Sequence, residues 1–464
     1  MRHTNKPIFA ALLSLGLAAC GGGGGGSSTA LTTTAPSTSQ VLFASQYQTG
    51  AQVSVPANAA IYAAGSNTLH RLGTIVFGGT STTTLFSDPL QQYAYFQSQP
   101  SGTTGGATPT GVYDLASGTQ SQQTVSDPFI GGATDGTGVE YMYSGFPGQP
   151  GLQANRVGAQ GVLTAADNFT ATGVALPTGF SAVAKNLVVV AGEDAAAQNI
   201  EIGLYTLGTD PATQQNGYLS LVGTAQAAAP TASTGSTLTM PLLYALPNWN
   251  SAYVETSTNP NELEGFALSA TTGVGAVQTN TVSGPVAGIA ESATANYIYT
   301  RSLSSGNTGC TINGYTTSPT GVLSPVSNGA PLFTQSQAMT CMVQTNGLTQ
   351  SPAVIVSALM VSQTGSVQTM LYTFAINADG TWTSTGTYTA PSPAQTSSPF
   401  GFVDEVNQRL FTITPSGIYG WSLAANGALT PIQNGGPLAT PDSGMSYSSS
   451  SILPNATAAS LALN

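Results

Sequence analysis

The chain has 464 residues, of which 41% are apolar and only 5% charged, far below the roughly 25% charge usual for soluble domains. Beyond Cys20 there are eighteen acids but only five bases (Arg71, Arg156, Lys185, Arg301, Arg409), a net charge of −13. Such a chain cannot neutralise a row of phosphates, which excludes nucleic acid as a partner and makes anionic lipid head groups equally poor.

Reading from the N-terminus, Arg2 and Lys6 precede "IFAALLSLGLAA", an apolar run too short to span a bilayer and ending in small residues. This is the pattern of an export signal. Leu17-Ala18-Ala19-Cys20 resembles the lipobox of bacterial lipoproteins, whose signal peptide is cut before a cysteine that then carries diacylglycerol. The resemblance implies a signal peptide over 1–19 and lipidation of Cys20. It also implies outer-membrane residence, because Gly21 replaces the Asp that commonly retains such proteins at the inner membrane. The alternative is an ordinary secretory signal with a chance cysteine. Residues 20–40 contain "GGGGGGSSTALTTTAPSTSQ", without charge or apolar periodicity, and read as a flexible tether reaching on the order of 25 Å. Residues 41–464 then form the folded domain.

Within that domain a unit recurs: a short strand, a turn rich in Asn, Asp, Pro or Gly, and a second strand. "TLFSDPLQQYAYFQS" (84–98), "GFSAVAKNLVVVAG" (179–192), "VAGIAESATANYIYTRS" (286–302) and "FGFVDEVNQRLFTIT" (400–414) are the clearest copies. A third strand, a turn usually carrying glycine and a fourth strand follow, as in "IYGWSLAANGALTPI" (418–432). First strands fall near residues 84, 131, 181, 241, 287, 340, 401 and 446. Four short strands at a period of about 50 residues predict an all-β fold, a single β-propeller of seven to eight four-stranded blades. Eight is the expectation; seven is the alternative if the weak unit 129–164 is an insertion. The eighth unit is incomplete, with two strands' worth of sequence at 445–464 and the missing two expected from 41–77. Pairing of the N- and C-terminal strands would close the ring and remove two open edges.

"GIYGWSLAANGALTPIQNGGPLAT" resembles the repeat of lactonase-type and YVTN-type β-propellers. The likeness covers roughly residues 80 to 440. It implies the fold; no motif allows the family's catalytic residues to be carried over, and propellers host many unrelated activities.

Tyr113, Tyr205, Phe266, Tyr315, Phe374 and Trp421 occupy one column of the third strand, broken at Arg156-Val157. A ring of aromatics can stack sugars, but rings inside strands read better as wedges between blades. The single histidine after Cys20, His70, stands in a strand-like stretch with no Gly-x-Ser-x-Gly elbow, so it reads as structural.

The carboxylates carry the functional expectation. Glu193, Asp194, Glu255, Glu262, Glu264 and Arg301 are expected at or near the loops joining second to third strands in three successive units, and Lys185, Asp404, Glu405 and Arg409 on the opposite face. The first group could bind a cation, a basic peptide or a sugar, or hold a carboxylate pair for hydrolysis. It could also be scattered charge that keeps a neutral surface soluble. Cys310 and Cys341 are expected to form a disulfide, with two buried thiols as the alternative. No metal and no cofactor is expected. The sequence reading is an outer-membrane-anchored lipoprotein, facing the periplasm or the cell surface. It would act as a binding or scaffold module for an envelope protein or glycan. A lactonase-like or glycan-cleaving hydrolase is the alternative.

Overall fold

The computed structural model describes residues 20–21, 40–48, 58–65, 67–76, 83–98, 108–145, 151–169, 173–184, 186–193, 199–228, 242–246, 250–255, 261–291, 296–303, 309–348, 350–361, 367–390, 402–453 and 460–463. The described residues form eight sheets, each a propeller blade and antiparallel apart from one short pairing at Cys20–Gly21, with no α-helix among them. Blade 2 consists of Thr83–Ser87, Tyr93–Ser98, Thr108–Asp114 and Gln120–Val125. Blades 3 to 8 begin at Phe129–Thr134, Leu176–Ala184, Leu242–Ala245, Val286–Glu291, Ala338–Thr345 and Phe402–Asp404. These are the positions marked by the repeat. The weak unit is a complete blade, Phe129–Thr134 through Leu163–Phe169, so the count is eight and not seven.

Closure differs from the two-plus-two split expected. Blade 1 takes three strands from the N-terminal side (Val41–Gln48, Asn58–Ala64, Leu69–Val76) and one, Met445–Leu453, from the C-terminal side. The run 58–76 folds as its own hairpin, with Ala64 opposite Leu69, and fills both outer places. One inner place is then left, and Met445–Leu453 takes it with Val41 opposite Leu453 and Gln48 opposite Met445. The second C-terminal run, Ser460–Leu463, pairs instead with the inner strand of blade 2.

The strands hold because alternate side chains enter the two seams flanking each blade. The buried apolar clusters are those seams. One joins blades 3 and 4 around Tyr143, Phe180 and Tyr205; another joins blades 7 and 8 around Leu371, Leu410 and Trp421. The aromatic column behaves as wedges: Tyr113, Tyr205, Phe266, Tyr315, Phe374 and Trp421 are all buried, each in the seam toward the preceding blade. Each buried ring removes about 150–250 Å² from water, on the order of 4 kcal/mol before entropy is counted. Blade 1 is different. Its core is continuous with both neighbours, running from Phe402 and Phe411 of blade 8 through Phe43 to Phe96 and Tyr113 of blade 2. Close approach also selects glycine: a Cβ on Gly265 of blade 5 would collide with the carbonyl of Gly321 in the turn of blade 6, where φ is +85°.

Candidate functional site

Each blade's first strand runs from the face carrying the second-to-third-strand loops toward the face carrying the first-to-second-strand turns. The expected ligand residues fall on the former face. Glu255 ends the second strand of blade 5, Ser251–Glu255, and Glu262 begins the third, Glu262–Ser269. Arg301 lies near the end of the second strand of blade 6, Asn296–Leu303. Glu193 ends Leu187–Glu193 of blade 4, and Asp194 lies outside the described residues.

Strand pleat divides this group. Glu255 pairs with Leu263 and Val254 with Glu264, so Glu255 and Leu263 share one side of the sheet and Glu262 and Glu264 take the other. Glu255 and Leu263 turn to blade 6, as the apolar cluster joining Leu263 to Val286 and Ile298 shows. Val254, on the side of Glu264, packs with Val189 of blade 4. Arg301 reaches the other way, donating from Nη1 to the carbonyl oxygen of Cys341 in blade 7, 2.7 Å away. The expected cluster is therefore spread over three seams.

Glu255 is the most deeply placed of the group. Its Oε2 accepts from the Tyr244 hydroxyl at 2.7 Å, and its carboxylate also accepts from the amide of Val286 at the entry to blade 6. Burial raises its pKa to about 7, against the opposing pull of the Tyr244 and Val286 hydrogen bonds and of Arg301. Burial lowers Arg301 from its ordinary value, and Glu255 partly restores it. Glu264, bonded by the Thr279 hydroxyl, is raised by burial and by Glu262. Blade 2 explains the position of Glu255. Gln97 stands at the same place, four residues after the first residue of the second strand pair, and its Oε1 accepts from the amide of Phe129 at the entry to blade 3. Glu255 is thus the ionisable form of a clasp between successive blades.

Cys310, opening the third strand of blade 6, and Cys341, in the first strand of blade 7, are joined as a disulfide with Cα atoms 6.2 Å apart. Both are buried. The bridge crosses the seam that Arg301 also crosses. His70 is exposed on the outermost strand of blade 1, its Nε2 bonded to the Thr68 hydroxyl at 3.1 Å, away from the carboxylates named above.

The opposite face holds more chemistry than expected. Asp404 and Arg409 are not surface charges: both are buried, paired at 2.7 Å, and joined by Gln40, which donates to Asp404 at 2.8 Å and accepts from Arg409 at 2.9 Å. This network seals blade 8 to blade 1. Asp88 and Glu140 form a buried carboxyl pair between blades 2 and 3. Asp88 accepts from the amides of Gln92 (2.8 Å) and Tyr93 (2.6 Å), while Glu140 accepts from the amide of Leu90 (2.9 Å). Burial first, and then its bond to Glu140 and the charge of Glu140, hold the Asp88 carboxyl well above the usual carboxylate range. The sequence signal for these positions was present. Asp88, Asp135, Asn346 and Asp404 each close a first strand, and each side chain takes amides of the turn that follows. Lys185 lies outside the described residues. No group of three or more His, Cys, Asp or Glu suited to a metal ion occurs among the described residues.

The geometry defines an eight-bladed, terminally closed β-propeller. No protein-family model and no curated protein matches the chain. Among solved structures it is similar to the dihydro-heme d1 dehydrogenase NirN in complex with DHE, with a TM-score of 0.50 and 12% identity over 87% of this chain and 76% of that one. A Bacteroides fragilis protein described as a candidate 6-phosphogluconolactonase has a TM-score of 0.41 and 12% identity over 80% and 98% of the two chains. A Lactobacillus plantarum protein has a TM-score of 0.41 and 13% identity over 81% and 100%. At these identities the likeness to NirN speaks for the fold alone, and the other two carry no argument about activity.

Proposed function

We propose that the protein is a lipid-anchored propeller of the outer membrane that acts as a binding or scaffold module for an envelope protein or glycan. The anchor rests on Leu17-Ala18-Ala19-Cys20 and the tether behind it. The observation that carries the binding role is the place of Gln40. It lies beside Asp404 on the face of the first-to-second-strand turns, so the tether joins the ring there. Glu262 and Glu264 lie toward the opposite face, at the start of the third strand of blade 5. Lipidation requires Cys20–Gly21 to leave the short parallel pairing it makes with Ser181–Ala182 of blade 4. Replacing Cys20 by Ser should abolish fatty-acid labelling and shift the protein to the soluble fraction. A variant that stays membrane-bound to the same extent refutes the anchor.

One observation favours a hydrolase as the second reading: Glu255, raised by burial to a pKa of about 7 and within electrostatic reach of Arg301, suits a general acid. Purified protein should be assayed with lactones and envelope glycans. If turnover is found, Glu255→Gln should lower kcat by about 10²–10⁴ and His70→Ala should leave it within about tenfold. Turnover unaffected by Glu255→Gln sinks the hydrolase assignment at this site.

A further inference from the structure

We infer that the channel-side edge of blade 2 is a docking place for an extended peptide, and that the chain's own C-terminal residues fill it. Thr83–Ser87 pairs on its outer side with Tyr93–Ser98, as every first strand pairs with its second. On its inner side it pairs antiparallel with Ser460–Leu463: Ser460 opposite Phe86, Leu461 opposite Leu85, Ala462 opposite Thr84 and Leu463 opposite Thr83. The order of the sheet puts this fifth strand on the central channel. Blade 4 repeats the behaviour with another segment, Cys20–Gly21, which lies parallel to Ser181–Ala182. Two segments from opposite ends of the chain, one in each direction, thus add to inner edges.

The physical reason is general. A propeller's inner strand leaves a row of amides and carbonyls facing the channel, and an extended chain satisfies them through main-chain bonds. Such a ladder is tolerant of sequence. The tail segment is uncharged Ser-Leu-Ala-Leu, and the surplus of acids over bases favours neutral or basic peptides over acidic ones. Residues 454–459 tie the segment to Met445–Leu453, which belongs to blade 1, so the tail works at an effective concentration in the millimolar range. This docking place depends neither on the lipid anchor nor on the Glu255 face.

The test removes residues 460–464 and leaves Met445–Leu453 in place. A fluorescent peptide of residues 458–464 is titrated into the full chain and the shortened chain by polarisation. The shortened chain should bind at least tenfold more tightly, because the attached tail no longer competes. The same peptide with proline at the positions of Leu461 and Leu463 should lose binding, since proline cannot donate to the ladder. If the shortened chain does not melt cooperatively, the full chain carrying Leu461→Pro and Leu463→Pro replaces it in the same titration. No binding by either protein, equal affinity for the two, or undiminished binding of the proline peptide overturns the inference.

Discussion

Blades 6 and 7 meet across a seam whose partners are near in the chain: Cys310 and Cys341 are 31 residues apart, and Arg301 and Cys341 are 40 apart. Blade 1 meets blade 8 through Gln40 and Asp404, 364 residues apart, and Arg71 meets Asp442 across 371. The first seam is fastened covalently. The second is fastened by a strand ladder, a buried ion pair and an unbroken apolar core. Closing the long loop sacrifices the most chain entropy, and among the described residues this is where the largest apolar cluster and the buried Arg409–Asp404 pair lie. A local seam can be stapled one unit at a time, whereas the closing seam needs many partners to assemble together.

Removing the ladder is the harshest way to break this comparison. Deleting residues 445–464 strips the inner strand from blade 1 and opens two edges. The expected result is insoluble or protease-sensitive protein in limited proteolysis. A truncated protein that melts like the parent would show that the closing seam is dispensable. Next is the buried pair: Arg409→Met leaves Asp404 uncompensated in the core and should cost about 3–5 kcal/mol in urea unfolding. Adding Asp404→Leu should recover most of that loss; a double variant no better than the single would mean packing, not charge, holds the seam.

For the stapled seam, Cys341→Ser should cost about 3–4 kcal/mol, the entropy of a loop of this length. Alkylation of unreduced, denatured parent protein should modify neither Cys310 nor Cys341. Two modified thiols in protein taken from the native envelope would rule the bridge out. The gentlest comparison uses the Glu255 clasp. Its pKa in the folded protein, about 7, lies above the ordinary 4.5, so the native state binds the proton more tightly than the unfolded chain. Stability is therefore full below about pH 4.5, falls as pH rises toward 7, and is level beyond. Glu255→Gln, which installs the solution blade 2 already uses at Gln97, should flatten that slope and raise stability at pH 8 by at most about 3 kcal/mol. Equal slopes for parent and variant across pH 4–8 would show that Glu255 does not titrate as described.

The elements that repeat were legible because each blade must solve the same packing problem with local residues. The eight first-strand marks and the aromatic column could be read directly, since large rings at one place in most third strands fill the wedge between sheets. Asp88, Asp135, Asn346 and Asp404 were readable by the same logic, as turn-closing side chains at the same point of their units. Glu255, Glu262, Glu264 and Arg301 lie within second and third strands of blades 5 and 6.

Which seam each charge enters was decided only by the tertiary structure. A shift of one residue in pairing turns a side chain to the other side of a sheet, and pairing register depends on both strands at once. That is why Glu255 and Glu264, nine positions apart, face different blades, and why Arg301 reaches Cys341 instead of Glu255. The division of strands at closure was also beyond the sequence. The run 41–76, with three strands, and the run 445–463, with two, together hold one strand more than the four places of a blade. Only competition for the single inner place of blade 1 assigns Met445–Leu453 to it and sends Ser460–Leu463 to blade 2. Local pattern determines how many strands exist; the geometry of a closed ring determines where the last ones go.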